Sequence, residues 1–312
     1  MDEEHRRHRL YETFKPDADQ WFAESANRHG FEAGKAYLKQ DHALAACFLF
    51  ADARDDRLLD AIKFIYIFLQ FDDFIDDSPD SELSKDLLNK YKLEIQELDK
   101  GVIKDDTPPR LKIIAEFLKD MKLKMTDYQF DEFKKDFKCY MESSIWARLE
   151  QETGGVYFNS LDKLIDKRRC TGGSHLVTDI AWYAVGADGL DRKFWDDPDV
   201  KRMKDLYFDI SQAANDIYSY KKEADLQKDK ISYVIHFYNH EANGDLNRAV
   251  KMTRDIIYEW YKEFLKLAAK VKQRKDIYHE DANKIISYMK NFNPAAVGYV
   301  MGFSKRYENP SD

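Results

Sequence analysis

The chain has 312 residues, 44% of them hydrophobic, enough for one large core or two small ones. A net charge of −8 argues against nucleic acid as a partner, because a phosphate backbone selects basic surfaces. With only 12 Gly and 7 Pro, the composition argues against a turn-rich β fold and for long helices.

The first residues, MDEEHRRHR, lack the apolar run of a signal peptide, and their acidic residues disfavour a transit peptide. The basic run at 5–9 reads as a solvated terminus, and residues 1–20 are expected to be flexible. Cys47, Cys139 and Cys170 are an odd count with no paired spacing, as expected of reduced thiols in the cytoplasm. From Leu58 to Phe71 the apolar residues are almost continuous, which predicts a buried central helix. Its run from Ala61 to Phe71 is too short to span a bilayer, so no integral membrane segment is expected. Ser78-Pro79 and Thr107-Pro108-Pro109 mark breaks, with a polar stretch at 99–109 between helices. Phe130, Phe133, Phe137, Met141, Ile145 and Leu149 recur at steps of three and four, the stripe of an amphipathic helix. Gly154-Gly155, Gly186 to Gly189 and Asp197-Pro198 mark further breaks. Lys and Asp alternate over 223–230, and a last long stripe runs from Asn247 to Val271 through Ile256, Trp260, Phe264 and Leu267. No repeat or linker long enough to separate domains is present. The expectation is a single all-α domain, 1–312, with about ten helices.

Two polar constellations interrupt this helical pattern. The first is FLQFDDFIDDSPD at 68–80. If the helix through Phe71 continues to Asp77, Asp72 and Asp76 share one face at about 6 Å along the axis, and Asp73 and Asp77 form a second pair rotated by roughly 100°. Ile65 and Leu69 lead up to Asp72, so an apolar face runs into an acidic one. Carboxylates so placed suit hard divalent cations such as Mg²⁺, whose shell is usually completed by water and substrate phosphate. Merely solvated aspartates at a helix end would gain nothing from the dipole and would repel one another. The second constellation is NDIYSYKKE at 215–223. Asn215, Ser219 and Glu223, four residues apart, form an oblique stripe drifting about 40° per step. An amide, a hydroxyl and a carboxylate make a weakly charged site for one hard cation, and Lys222 beside them could reach a metal-held anion.

Taken together, these residues resemble the class I terpene synthases of the single-domain microbial type. Asp72-Asp73-x-x-Asp76-Asp77 looks like that family's aspartate-rich motif. Asn215-Asp216-x-x-Ser219-x-x-Lys222-Glu223 matches its second metal motif at every defined position. Arg169, 46 residues before Asn215, stands at the family's spacing for a diphosphate-sensing arginine, with Arg168 adjoining it. Gly173, in the pair Gly172-Gly173, falls where the family breaks a helix and points a carbonyl into the cavity. Gly172 occupies a position where many relatives carry Asp. Arg306-Tyr307 resembles the terminal pair that hydrogen-bonds the diphosphate. The tryptophan common before that pair is absent, with Tyr299 and Phe303 nearby.

The resemblance implies an all-α bundle around a central active-site cavity. It also implies a carbon–oxygen lyase that ionises farnesyl or geranylgeranyl diphosphate and releases a cyclic sesquiterpene or diterpene. Asp72, Asp73, Asp76, Asn215, Ser219 and Glu223 would hold Mg²⁺, three ions per site, with Mn²⁺ an alternative. Arg169, Lys222, Arg306 and Tyr307 would take the diphosphate. The carbocation would be shielded by rings drawn from Phe48, Phe64, Phe68, Phe71, Trp146, Trp182, Tyr299 and Phe303, with Phe68 preferred because it lies one turn before Asp72. His175 is a candidate base, though a structural histidine accounts for it equally; the other histidines show no metal spacing. Many relatives dimerise, so a homodimer stays open. A chain-elongating prenyltransferase would carry a second aspartate-rich cluster where 215–223 stands, and a non-catalytic helical scaffold would leave both stripes solvated. A class II cyclase would need a D-x-D-D motif, which is absent.

Overall fold

The computed structural model describes residues 7–30, 37–78, 83–99, 103–152, 158–225 and 231–302. These residues form thirteen helices and no strand. The chain divides into two compact units, residues 1–149 with 179–188 and residues 150–178 with 189–312.

In the first unit, α1 (Tyr11–Arg28), α2 (His42–Leu49), α3 (Leu58–Asp77), α4 (Lys85–Asp99) and α5 (Pro109–Lys122) precede α6 (Asp127–Glu152), which belongs to this unit as far as Leu149. Helix α3 is its centre, packed by α1, α2 and α5. Ala61, Ile62, Phe64, Ile65, Tyr66 and Ile67 are all buried, so this helix is covered on every side, as its unbroken apolar run predicts. Each such large side chain contributes about 1.5–3 kcal/mol on burial. Two polar clamps fix where α3 starts. Buried Asp60 accepts from Lys124 Nζ at 2.6 Å and from the Tyr183 hydroxyl at 2.8 Å. Arg57 donates to both carboxylate oxygens of Asp188, at 2.7 and 2.6 Å, and to the Tyr183 carbonyl at 2.7 Å. At the other end Ser78, which precedes a proline, turns to extended backbone (φ −67°, ψ 136°) and stops the helix. Helix α5 opens on Pro109, whose missing N–H costs nothing at that position. On α6 the predicted stripe is buried through Phe133, Phe137, Met141 and Ile145.

The second unit holds α7 (Leu161–Thr171), the first part of α8 (Ser174–Ala184), α9 (Arg192–Trp195), α10 (Pro198–Asp225), α11 (Tyr233–His240), α12 (Leu246–Lys272) and α13 (Glu280–Gly302). The long α10 packs along α12 and α13 and also meets α7 and α11. Trp260, Phe264 and Val271 are the buried members of the predicted α12 stripe. Ser160 caps α7 by accepting from Lys163 N, and a 2.6 Å bond between the Thr178 and Tyr207 hydroxyls joins α8 to α10.

Thirteen helices stand where about ten were expected. The surplus comes from short elements, such as α9 with 4 residues and α2 and α11 with 8 each, too brief to show a periodic stripe. Gly154-Gly155 lies outside the described residues.

Candidate active site

The aspartate-rich segment forms the last turns of α3, in the first unit. The helix runs through Asp77, so Asp72/Asp76 and Asp73/Asp77 are true i,i+4 pairs. Asp72 and Asp73 are half-buried, whereas the side chains of Asp76 and Asp77 lie outside the described residues. Asp72 Oδ1 accepts from the Tyr140 hydroxyl at 3.1 Å. The Tyr140 ring stacks on Phe68, with centroids 4.7 Å apart and planes at 29°, and Phe68 lies 5.5 Å from Phe64. Phe68 is half-buried one turn before Asp72, while Phe71 points into the core. Acidic residues at a helix C-terminus oppose the macrodipole; buried Arg148 offsets this by donating to the Ser78 carbonyl at 2.9 Å, a cation at that end.

The second motif lies on α10, in the second unit. Asn215 is half-buried and Ser219, four residues on, is 2% exposed. Ser219 Oγ is sealed from solvent and finds no hydrogen-bond partner among the described residues. A buried hydroxyl so placed costs about 1–3 kcal/mol, which calls for a ligand or another explanation. An oxygen one turn from an amide oxygen is the donor set a hard cation takes, so the residues present fit such an ion. Lys222 and Glu223 continue the helix, but their side chains lie outside the described residues. No group of three His, Cys, Asp or Glu is gathered among the described residues.

The aspartate inside this motif has a different task. Asp216 is fully buried, accepts from Arg168 Nη2 at 2.5 Å and from the Tyr233 backbone N–H at 2.7 Å, and so ties α7, α10 and the start of α11 together. Arg169 meets α10 further back. It donates to both oxygens of Asp209, at 2.8 and 2.5 Å, and lies 3.2 Å from Asp205. Burial raises the pKa of Asp209 and of Asp205 above the usual carboxylate value, and Arg169 pulls both back down. Burial lowers that of Arg169, but the two carboxylates outweigh it and hold the guanidinium charged. The two adjacent arginines therefore serve two different carboxylate partners.

Helix α7 ends at Thr171, Gly172 follows, and Gly173 turns left-handed (φ 66°) before α8 begins at Ser174. This is the predicted helix break. A Cβ on Gly172 would stand 2.5 Å from Gln212 Oε1 and 3.0 Å from the Arg168 carbonyl, so the absence of a side chain here is matched by Gln212 on α10. His175 is half-buried just beyond the break. Phe48, Phe64, Phe71 and Trp182 are buried in the core; Trp146 is half-buried. The Tyr299 side chain, Phe303, Arg306 and Tyr307 lie outside the described residues.

Sequence reasoning missed Tyr140, Asp209 and Gln212. Tyr140 falls on the α6 stripe with ordinary core spacing. Asp209 and Gln212 precede Asn215 by six and three residues, and the helical spacing of 209, 212 and 216 was the signal available.

Comparison with known proteins agrees with these motifs. The family model described as "Terpene synthase family 2, C-terminal metal binding" matches residues 63–263. The chain is 22% identical over 301 residues to "Microbial Terpene synthase-like protein 13" of Selaginella moellendorffii, covering 95% of this chain and 78% of that protein. Among solved structures it is similar to a linalool/nerolidol synthase from Streptomyces clavuligerus in complex with 2-fluorogeranyl diphosphate, with TM-score 0.80, 15% identity, and coverage of 95% and 100% of the two chains. It is also similar to a cucumene synthase, with TM-score 0.77, 14% identity, and coverage of 97% and 98%. The likeness to the solved structures shows a shared fold. No helix among the described residues is long and apolar enough to cross a membrane.

Proposed function

The chain belongs to terpene synthase family 2, the class I terpene synthases, and from that premise we propose that it ionises a linear prenyl diphosphate and cyclises the cation. The allylic C–O bond breaks, its electron pair leaves with diphosphate, and the cyclised cation gives up a proton to become a sesquiterpene or diterpene hydrocarbon. Farnesyl diphosphate is the first choice of substrate and geranylgeranyl diphosphate the second. The diphosphate analogue bound to the Streptomyces clavuligerus synthase supports that substrate class.

The observation that carries this reading is the buried, unbonded Ser219 Oγ within a motif of metal-ligating spacing. We assign Asn215, Ser219 and Glu223 to one Mg²⁺, and Asp72, Asp73 and Asp76 to the others, three in all. Bound Mg²⁺ would supply the charge that stabilises the departing diphosphate. Arg169, Lys222, Arg306 and Tyr307 would hydrogen-bond its oxygens, which are charge-assisted contacts. The Gly173 carbonyl would offer its dipole to the cation, and the Phe68 ring its face, worth about 0.5–2 kcal/mol. In this reading residues 1–312 act as one synthase domain.

Incubation with geranyl, farnesyl and geranylgeranyl diphosphates, each with Mg²⁺ and with chelator, tests it by gas chromatography and mass detection. A cyclic hydrocarbon from one substrate, lost with chelator, is the expected result. A longer diphosphate formed in the presence of isopentenyl diphosphate would replace the cyclase by a prenyltransferase.

A further inference from the structure

Asp205, Asp209, Gln212 and Asp216 follow one another along α10 at steps of four, three and four residues, which is one helical stripe. Three of the four hold charge: Asp205 and Asp209 bind Arg169, and Asp216 binds Arg168. The stripe therefore faces the end of α7. Gln212, between the two ion pairs, does something else. Its amide lies against Gly172, with Oε1 and Cδ 2.5 and 2.6 Å from the point a Cβ would occupy. Gly172 has ordinary helical backbone (φ −83°), so conformation does not demand glycine there. What forbids a side chain is the Gln212 amide on one side and the Arg168 carbonyl on the other.

That contact sits between two short ion pairs, and it sets how closely α7 can approach α10. A side chain at 172 would wedge the helices apart and stretch Arg168 from Asp216. A smaller residue at 212 would remove the stop and let the Gly172-Gly173 turn move. Ser219, seven residues after Gln212, lies on nearly the same face, with a drift of about 20° over that step. Displacement at Gln212 is thus felt where the second motif offers its oxygens.

We propose that Gln212 is a positioning residue for the second metal motif: its amide is the spacer that fixes the Gly172-Gly173 turn against Asn215 and Ser219. This rests on the synthase reading given above. Gln212 touches neither substrate nor metal in this role and acts through the backbone it supports.

The test is a double-mutant cycle of Gln212→Ala, Gly172→Asn and the two combined, the second change returning an amide to the gap from the opposite helix. Three quantities are read: kcat and KM on the prenyl diphosphate the wild type converts, binding of Mg²⁺ with inorganic diphosphate by calorimetry, and melting temperature. Each single change should lower kcat by about 10²-fold, the scale of a 1 Å misplacement, and weaken diphosphate binding. The combined variant should recover most of both losses. Losses that simply multiply would overturn the proposal, as would coupling seen in melting temperature but not in kcat or binding, since that describes a packing contact only. A wild type that neither binds Mg²⁺ and diphosphate nor turns over any substrate would remove the synthase reading itself. That failure shows in the control before any variant is compared, and the positioning role falls with it.

Discussion

Tyr140 holds Asp72: its hydroxyl donates to Oδ1 at 3.1 Å while its ring stacks on Phe68. One side chain of α6 thus orients the first acid of the aspartate motif and the ring one turn before it. Tyr140→Phe keeps the stacking and removes the bond. The expected outcome is a melting curve changed by no more than about 1 kcal/mol in stability, with the Mg²⁺ concentration for half-maximal turnover raised severalfold. Turnover titrated against Mg²⁺ measures it. An unshifted curve would show that Asp72 does not depend on this support.

The two arginine pairs of α7 predict unequal costs. Asp216 is wholly buried, and its removal strands both the Arg168 guanidinium and the Tyr233 N–H. Asp216→Ala should cost about 3–5 kcal/mol in urea denaturation, the range for breaking a buried pair from one side. Asp205 retains 26% side-chain exposure and shares Arg169 with Asp209, so Asp205→Asn should cost under about 1 kcal/mol. Equal losses would mean that burial is not what separates them.

His236 gives the second unit a pH response. Burial, and then the neighbouring His240 with rings 4.8 Å apart, lower its pKa from the ordinary 6.5. Its folded form therefore stays neutral where the unfolded form already takes a proton. Above pH 6.5 the stabilisation is fully present, and it is lost as pH falls below that value. Asp205 and Asp209, with raised pKa values, act in the opposite sense at lower pH, so the useful quantity is a difference between proteins. Melting temperatures from pH 8 down to 5.5 should fall more steeply for the wild type than for His236→Gln. Parallel curves would remove His236 as the cause.

Much of this molecule was legible in its sequence because helices repeat locally. The unbroken apolar run of 58–71 gave the buried course of α3, and Pro109, Pro198 and the Gly172-Gly173 pair fell at helix ends. Asn215 and Ser219 were visible for the same reason: ligands one turn apart on one helix leave a periodic trace. Tyr140, Asp209 and Gln212 leave none of that kind. Their roles come from partners 68, 40 and 40 positions away, at Asp72, Arg169 and Gly172. The sequence likewise presented Arg168 and Arg169 as interchangeable neighbours. Their difference lies in α10, where seven residues of helix separate Asp209 from Asp216.

Ser219 offers the sharpest separation of stability from function. Its hydroxyl is buried and unbonded among the described residues, so it weakens the apo fold. Ser219→Ala removes that burden, leaves a methyl in an enclosed place and improves helix propensity. Without metal, the variant should melt at or above the wild-type temperature, with a gain of up to about 1 kcal/mol. With Mg²⁺ and inorganic diphosphate, the wild type should gain stability by mass action while the variant gains less, because one ligand oxygen is gone. Turnover should fall by at least about 10²-fold, as it should for Asn215→Ala and Asp72→Ala. Thermal melts with and without Mg²⁺ and diphosphate check both halves together. A variant that is more stable and equally active would show that the buried hydroxyl is a packing defect and that the cation takes its oxygens elsewhere.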